Sequence, residues 1–217
     1  GWLCDRFGPR VTYTWLLILG SLPVMCIGFV HDFQTFLISR LLIGIIGASF
    51  VITQYHTSVM FAPNVVGTAN ATSAGWGNMG GGMTQLIMPI VFGALTLGAV
   101  IPFTNITFLP GLGLDSATGW RVAMVIAGAT CFVTGIAYFF LTQDCPEGNF
   151  SKLRAEGRLP KKEKTKGAFW EACRDPRVWA LFVIYGACFG IELTICNVAA
   201  LYFADYFEMG LVAAGAI

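Results

Sequence analysis

Apolar residues run along this chain in long uncharged stretches broken by short polar turns, without the period-two alternation of a half-buried strand. Val11 to Val30, Leu41 to Leu114 and Val122 to Gln143 contain no Asp, Glu, Lys or Arg. A bilayer crossing takes about 20 apolar residues, so these runs predict one, two and one helical spans. Turn residues place the boundaries. His31-Asp32 ends the first span, Ala62-Pro63-Asn64 separates Phe33–Phe61 from a span over Val65 to about Val100, and the Pro- and Gly-rich stretch Ile101 to Gly119 breaks helix. Trp120-Arg121 opens a span that runs to Thr142, and Val178 to Phe203 forms another, with Pro176 suited to its first turn. Asp205 to Glu208 predicts a turn, and Gly210 to Ile217 starts a further span. The pattern specifies an all-α membrane protein.

Charge gives these spans a direction. The chain has 217 residues, 56% hydrophobic and 12% charged, with formal net charge +1. Nine of its 13 Lys and Arg fall between Asp144 and Arg177, the distribution that marks a cytoplasmic loop. Gly1 to Arg10 carries two more Arg, and four spans separate the two segments, so both belong on one side. The organisation is a cytoplasmic loop over 1–10, spans over 11–142, a central cytoplasmic loop over 143–177, and a span with the start of another over 178–217. Lys152 to Lys166 reads as a mobile, apolar-poor stretch, and Phe169–Cys173 as a short interfacial helix. Of three glycosylation sequons, Asn105 falls on the outer side and is the usable one, whereas Asn70 lies in a span and Asn149 in the cytoplasmic loop. The chain does not begin with Met and stops just after an apolar run begins, and it reads as a piece of a longer protein.

Seven cysteines occur without C-x-x-C spacing, so neither a metal site nor a disulfide framework is expected. No cofactor, nucleic-acid or enzymatic signature accompanies the spans. The lipid bilayer is the first partner implied.

Within the second uncharged run lies Ala74-Gly75-Trp76-Gly77-Asn78-Met79-Gly80-Gly81-Gly82-Met83-Thr84-Gln85. Its G-x-G-x-x-G spacing suggests a dinucleotide turn, but no strand precedes it and no acidic residue follows. On a helix, Ala71, Ala74, Asn78, Gly81, Gly82 and Gln85 share one face, with two amides set among residues that have almost no side chain. Each glycine costs up to about 1 kcal/mol of helix propensity. Gly77 and Gly81 have the spacing that admits a neighbouring backbone, but three successive glycines beside an Asn suggest that a small solute also reaches this helix. Arg40 and Glu192 stand inside spans, where charge is expensive and marks a functional candidate. Arg40 either serves such a role or snorkels to the outer end, and Glu192 either couples protons or makes a structural contact with Arg40 or another helix.

Several of these segments resemble one family. Gly1 to Arg10 has the spacing G-x-L-x-D-R-x-G-x-R of the cytoplasmic loop between spans two and three of major facilitator superfamily transporters. Arg40 to Ala48 is similar to the superfamily's fourth-span Arg–Gly pattern. Gly75 to Gln85, with Gln143 to Asn149 and Phe189 to Thr194, resembles the nitrate/nitrite porter family, nearest its eukaryotic high-affinity members.

The resemblance implies a partial major facilitator superfamily bundle, spans three to seven and the start of eight. It further implies a multi-pass plasma-membrane transporter of nitrate working by alternating access, with proton symport. A facilitator for nitrite or another small anion, and a non-transporting nitrate sensor, stay open as alternatives. By the resemblance, Asn78 touches the nitrate, with Gly75, Gly77, Gly80, Gly81 and Gly82 around it and Tyr185 and Phe50 lining the same cavity. A packed Asn and ordinary aromatic lining are the plainer readings of those residues. Asp5, Arg6 and Arg10 would latch helices at the cytoplasmic face, with Arg40 and Glu192 as further gating or coupling candidates. Family members often have an acid where this chain has Cys196. An amide and a phenol leave an anion's charge unpaired. The family answers this with Arg residues in spans two and eight, beyond these 217 residues.

Overall fold

The computed structural model describes residues 1–100, 107–158, 168–210 and 213–214. Helix dominates, as the uncharged runs predict. A short helix α1 (Trp2–Phe7) turns at Gly8 into α2 (Pro9–Cys26), which ends in a 3₁₀ turn over Ile27–Phe29. The expected second span is two helices, α3 (Phe33–Gly44) and α4 (Ser49–Met60), joined by a 3₁₀ turn over Ile45–Ala48. Glycines at 44 and 47 lower helix propensity at that joint, where the chain tightens to three residues per turn. After the turn at Ala62-Pro63-Asn64, α5 (Val66–Leu95) carries the whole glycine stretch.

The far end departs from expectation. The third span stops at Leu95, five residues short of Val100, and an antiparallel hairpin follows, β1 (Gly98–Val100) with β2 (Thr107–Pro110). Gly98 makes the turn into it at φ +119°, a conformation that favours glycine. Asn105 lies outside the described residues. Helix α6 (Ser116–Leu141) begins before Trp120 because the Asp115 carboxylate caps it, accepting the Thr118 N–H at 3.1 Å. Hydrogen bonds from Thr118 hold that carboxyl below its ordinary range. Of the stretch expected to be mobile, 152–155 belong to a helix α7 (Phe150–Ala155) and 159–166 lie outside the described residues, while α8 (Ala168–Arg174) contains the segment expected as an interfacial helix. The last helix, α9 (Pro176–Phe207), starts behind the Asp175 cap and runs through Asp205, which was expected in a turn. It closes at Glu208 in the left-handed region, φ 53°.

Four of these segments are long and apolar enough to cross a membrane: Pro9–Phe29, Phe33–Met60, Ser116–Leu141 and Pro176–Phe207. Helix α5 is as long, 30 residues, and uncharged, but Gly, Ser, Thr, Asn and Gln dilute its apolar character.

Helix α2 is the hub, packing against α3, α4 and, most extensively, α6. Small residues make that last approach close. A Cβ added to Gly135 would lie 3.0 Å from the Leu17 Cβ, and one on Gly128 would lie 3.1 Å from the Met25 nitrogen and 3.2 Å from the Ser21 carbonyl. The close approach expected at Gly77 and Gly81 is not found among the described residues, where nothing lies within 4 Å of either Cβ position. Helix α5 meets its neighbours nearer its ends instead. Gln54 of α4 donates to the Asn70 carbonyl at 3.4 Å, and a Cβ on Gly119 of α6 would lie 3.2 Å from the Phe92 ring.

Candidate functional site

The chemistry gathers in two places. The first is the end of the bundle where the two basic segments meet. Gly8 has φ +91° and lies against the Asp144 carboxylate, 2.5 Å from where its Cβ would be. The lack of a side chain at Gly8 lets Asp144, 2% exposed, accept the Arg10 backbone N–H at 2.9 Å and the Phe150 N–H at 2.9 Å. One buried carboxylate therefore caps the first turn of both α2 and α7. The Arg10 guanidinium lies over the Phe139 ring, 4.4 Å from its centroid, and donates to the Phe139 carbonyl at 3.3 Å. The Asp5 carboxylate accepts the Tyr55 hydroxyl at 2.7 Å, which ties α1 to α4. The Arg154 fork donates to the Arg6 and Asp5 carbonyls at 3.0 and 3.2 Å, which ties α7 to α1. The Arg6 guanidinium rests against the Trp2 and Phe7 rings.

His56 completes this junction from α4. Its Nε2 lies 2.8 Å from the Gln143 carbonyl, and its Nδ1 is hydrogen-bonded to the Tyr138 hydroxyl. A carbonyl only accepts, so Nε2 carries a proton toward Gln143. The buried ring is fixed at both nitrogens, against an edge-on Tyr138 that packs in turn on Tyr13.

Asp5, Arg6 and Arg10 thus lie together, as their spacing suggests. Asp144, His56, Tyr138 and Arg154 were missed. Asp144 had one signal, a carboxylate immediately past the end of a span, and His56 had another, a titratable ring in an otherwise uncharged run.

The second place lies between α5 and α9. Gly80, Gly81, Thr84, Gln85, Met88 and Pro89 of α5 line a groove of about 580 Å³ with Cys196 of α9. Across it the Gln85 amide donates to the Cys196 carbonyl. Gly81 and Gln85 of the face expected from the sequence thus turn toward α9, and Asn78 shares that face by spacing without itself lining the groove. Asn78 is exposed, and among the described residues nothing lies within 4 Å of a Cβ at Gly75, Gly77, Gly80, Gly81 or Gly82.

Nearer the basic end a ring cluster closes the gap to α9. Phe50 of α4 stacks on Tyr185 with centroids 6.1 Å apart, and Tyr185 stacks on Phe189 at 5.7 Å. The structure thereby brings together Phe50 and Tyr185, far apart in sequence. Arg40 is exposed on α3 with its guanidinium 5.7 Å from the Phe36 ring. Glu192 is half-buried on α9. Among the described residues neither forms an ion pair, so the suggested Arg40–Glu192 contact is not present. All seven cysteines are free thiols, and among the described residues no group of His, Cys, Asp or Glu is arranged to hold a metal ion.

Comparison with known proteins places this geometry. No solved structure matches significantly. The chain is 37% identical over its full length to high-affinity nitrate transporter 2.3 of Oryza sativa subsp. japonica, covering 39% of that protein. It is 36% identical to high affinity nitrate transporter 2.5 of Arabidopsis thaliana, covering 40% of it. Over 89% of the chain it is 30% identical to the nitrate/nitrite transporter NrtP of Nostoc punctiforme, covering 34% of that protein. The chain thus spans about two fifths of the length of the first two relatives. The family model of the Major Facilitator Superfamily matches residues 1–217, and the chain belongs to that superfamily.

Proposed function

We propose that this chain supplies part of the translocation path of a nitrate transporter that works by alternating access with proton symport. The observation that carries the reading is the groove that Gly80, Gly81, Thr84 and Gln85 of α5 line with Cys196 of α9, with Asn78 on the same helix face three residues before Gly81. A planar oxyanion suits that face, because an amide donates in-plane hydrogens and glycines let backbone groups approach. Phe50 and Tyr185 wall the solute in on the basic side. The similarity to plant proteins named for nitrate transport supports nitrate as the solute. The name of the cyanobacterial relative favours nitrite as a second solute.

In this reading, 1–10 and 143–177 are cytoplasmic loops of a plasma-membrane protein. Residues 11–142 supply spans three to six, and 178–217 supply span seven and the start of eight. Arg residues in spans two and eight of the whole protein neutralise the anion, because burial without a counter-charge costs more than an amide returns. Glu192, uncharged when protonated, is the coupling carboxylate. Asn105 is the glycosylated sequon.

The test is electrical recording from cells expressing the whole protein. Nitrate should evoke an inward current, and Asn78→Ala should raise the nitrate concentration for half-maximal current by about tenfold at equal surface level, the scale of one hydrogen bond to a charged group. Nitrate binding without flux would favour the sensor, and unchanged affinity in Asn78→Ala would remove that residue from the site.

A further inference from the structure

Two contacts mark levels along helix α9. Tyr185 meets Phe50 of α4 at one, and the Cys196 carbonyl meets the Gln85 amide of α5 at the other. At about 1.5 Å per residue these levels are roughly 16 Å apart along α9. Asn78 precedes Gln85 on the same face of α5 by seven residues, or about 10 Å, and so lies between them.

Gln85 also sits at a weak point of its own helix. Pro89, four residues on and inside α5, has no N–H to bond the Gln85 carbonyl. The helix is therefore one hydrogen bond weaker at Gln85, between the glycine stretch and the last turns that pack on α6, and this is the point at which it would bend. Pro89 and Met88 line the same groove as Gln85 and Cys196, so the bend opens or closes that groove directly.

We infer that the Gln85–Cys196 hydrogen bond is a strap across the end of the solute path farther from the basic loops, released when that end opens and re-formed when it closes. Gln85 is a positioning residue in this role, acting on the gap between α5 and α9 and not on the solute. The ring contact of Phe50 with Tyr185 lies on the opposite side of Asn78. Both contacts are made here, one on either side of the Asn78 level. An amide donating to a main-chain carbonyl is suited to repeated opening. It is neutral, so breaking it strands no charge, and each half re-pairs with water once the groove floods.

The inference rests on the alternating-access reading, and its test separates the two. Cys196 is a native thiol in the groove, so its alkylation reports the gap. Cys4 is buried, and burial pushes its thiol pKa up, which keeps it slow. The whole protein in sealed membranes is treated with a membrane-impermeant maleimide from the side opposite the basic loops, and modified Cys196 is quantified by peptide mass spectrometry.

Gln85→Met keeps the length of the side chain without the donor, and should raise the alkylation rate about fivefold. It should lower maximal nitrate flux while leaving half-saturation within about twofold of wild type. Gln85→Glu regains a donor only when protonated, so the ratio of its alkylation rate to that of wild type at the same pH should fall toward one in acidic buffer. An alkylation rate that neither variant changes overturns the strap even if wild-type flux is normal. So does raised half-saturation with unchanged maximal flux, which would make Gln85 a solute contact. If variants fail to reach the membrane, wild-type protein decides: Cys196 reactivity identical with and without saturating nitrate excludes a strap that opens. Absence of nitrate flux in wild type, with Cys196 still strap-dependent, would sink the transport reading alone.

Discussion

Gly8 shows how one residue without a side chain organises a junction. Its φ of +91° and its contact with the Asp144 carboxylate leave no room for a Cβ. Gly8→Ala therefore forces strain of about 1–2 kcal/mol and displaces an acceptor that serves two helix starts. We expect it to lower the melting temperature of the detergent-solubilised whole protein. Asp144→Asn retains one acceptor oxygen and should cost less than Asp144→Ala, which strands the N–H groups of Arg10 and Phe150 at about 1–3 kcal/mol each; equal melting temperatures for these two variants would show that the carboxylate is not what holds the junction. Gly8 and Arg10 were legible because their spacing with Asp5 and Arg6 is a pattern in itself. Asp144 was not, because its partners Arg10 and Phe150 are set by how α2, α6 and α7 converge, which no local spacing encodes. His56 was equally hidden. Its neighbours in sequence are Tyr55 and Thr57, while its ring is fixed by Tyr138 and Gln143.

Among the elements, the spans were legible wherever absence of charge was enough to define them. Their interruptions were not. The 3₁₀ joint at Ile45–Ala48 sits inside a run as apolar as its flanks, and hydropathy carries no record of a change in winding. Glycine had a similar ambiguity. The spacing of Gly77 and Gly81 invites a close helix, yet the close seam lies at Gly128 and Gly135 on α6, seven residues apart, against Leu17, Ser21 and Met25 of α2. Spacing shows that a helix is able to accept a neighbour, and the fold decides which helix receives one. Gly128→Leu should therefore wedge α2 from α6 and cost about 2 kcal/mol or more by overpacking. A thermal unfolding scan of the purified protein checks this, and an unchanged midpoint would mean that the seam is looser than its distances imply.

Across the whole molecule, the segments 1–10 and 143–158 share one end, joined by the hydrogen bonds of Arg10 with Asp144 and of Arg154 with Arg6. Counting four spans between them gave the same answer from sequence alone. The hydrogen bonds fix which segments are together, and in the proposed orientation that end faces the cytoplasm. Single cysteines placed at Arg6 and Arg158 should thus label from the same face of sealed cells, and only after permeabilisation. Labelling of either from outside, or a glycan on Asn149 in place of Asn105, would invert the orientation.

That shared end also sets an order of events in time. Arg10 and Asp144 are 134 residues apart, and a ribosome adding about 5–20 residues per second takes about 7–27 seconds to make that length. For that interval Gly8 and the Arg10 N–H wait in water while α2 to α6 enter the bilayer one after another. Asp144 is thus the residue whose arrival ends the wait, and a defect at it strands an otherwise inserted bundle half-built, in reach of the cell's quality control.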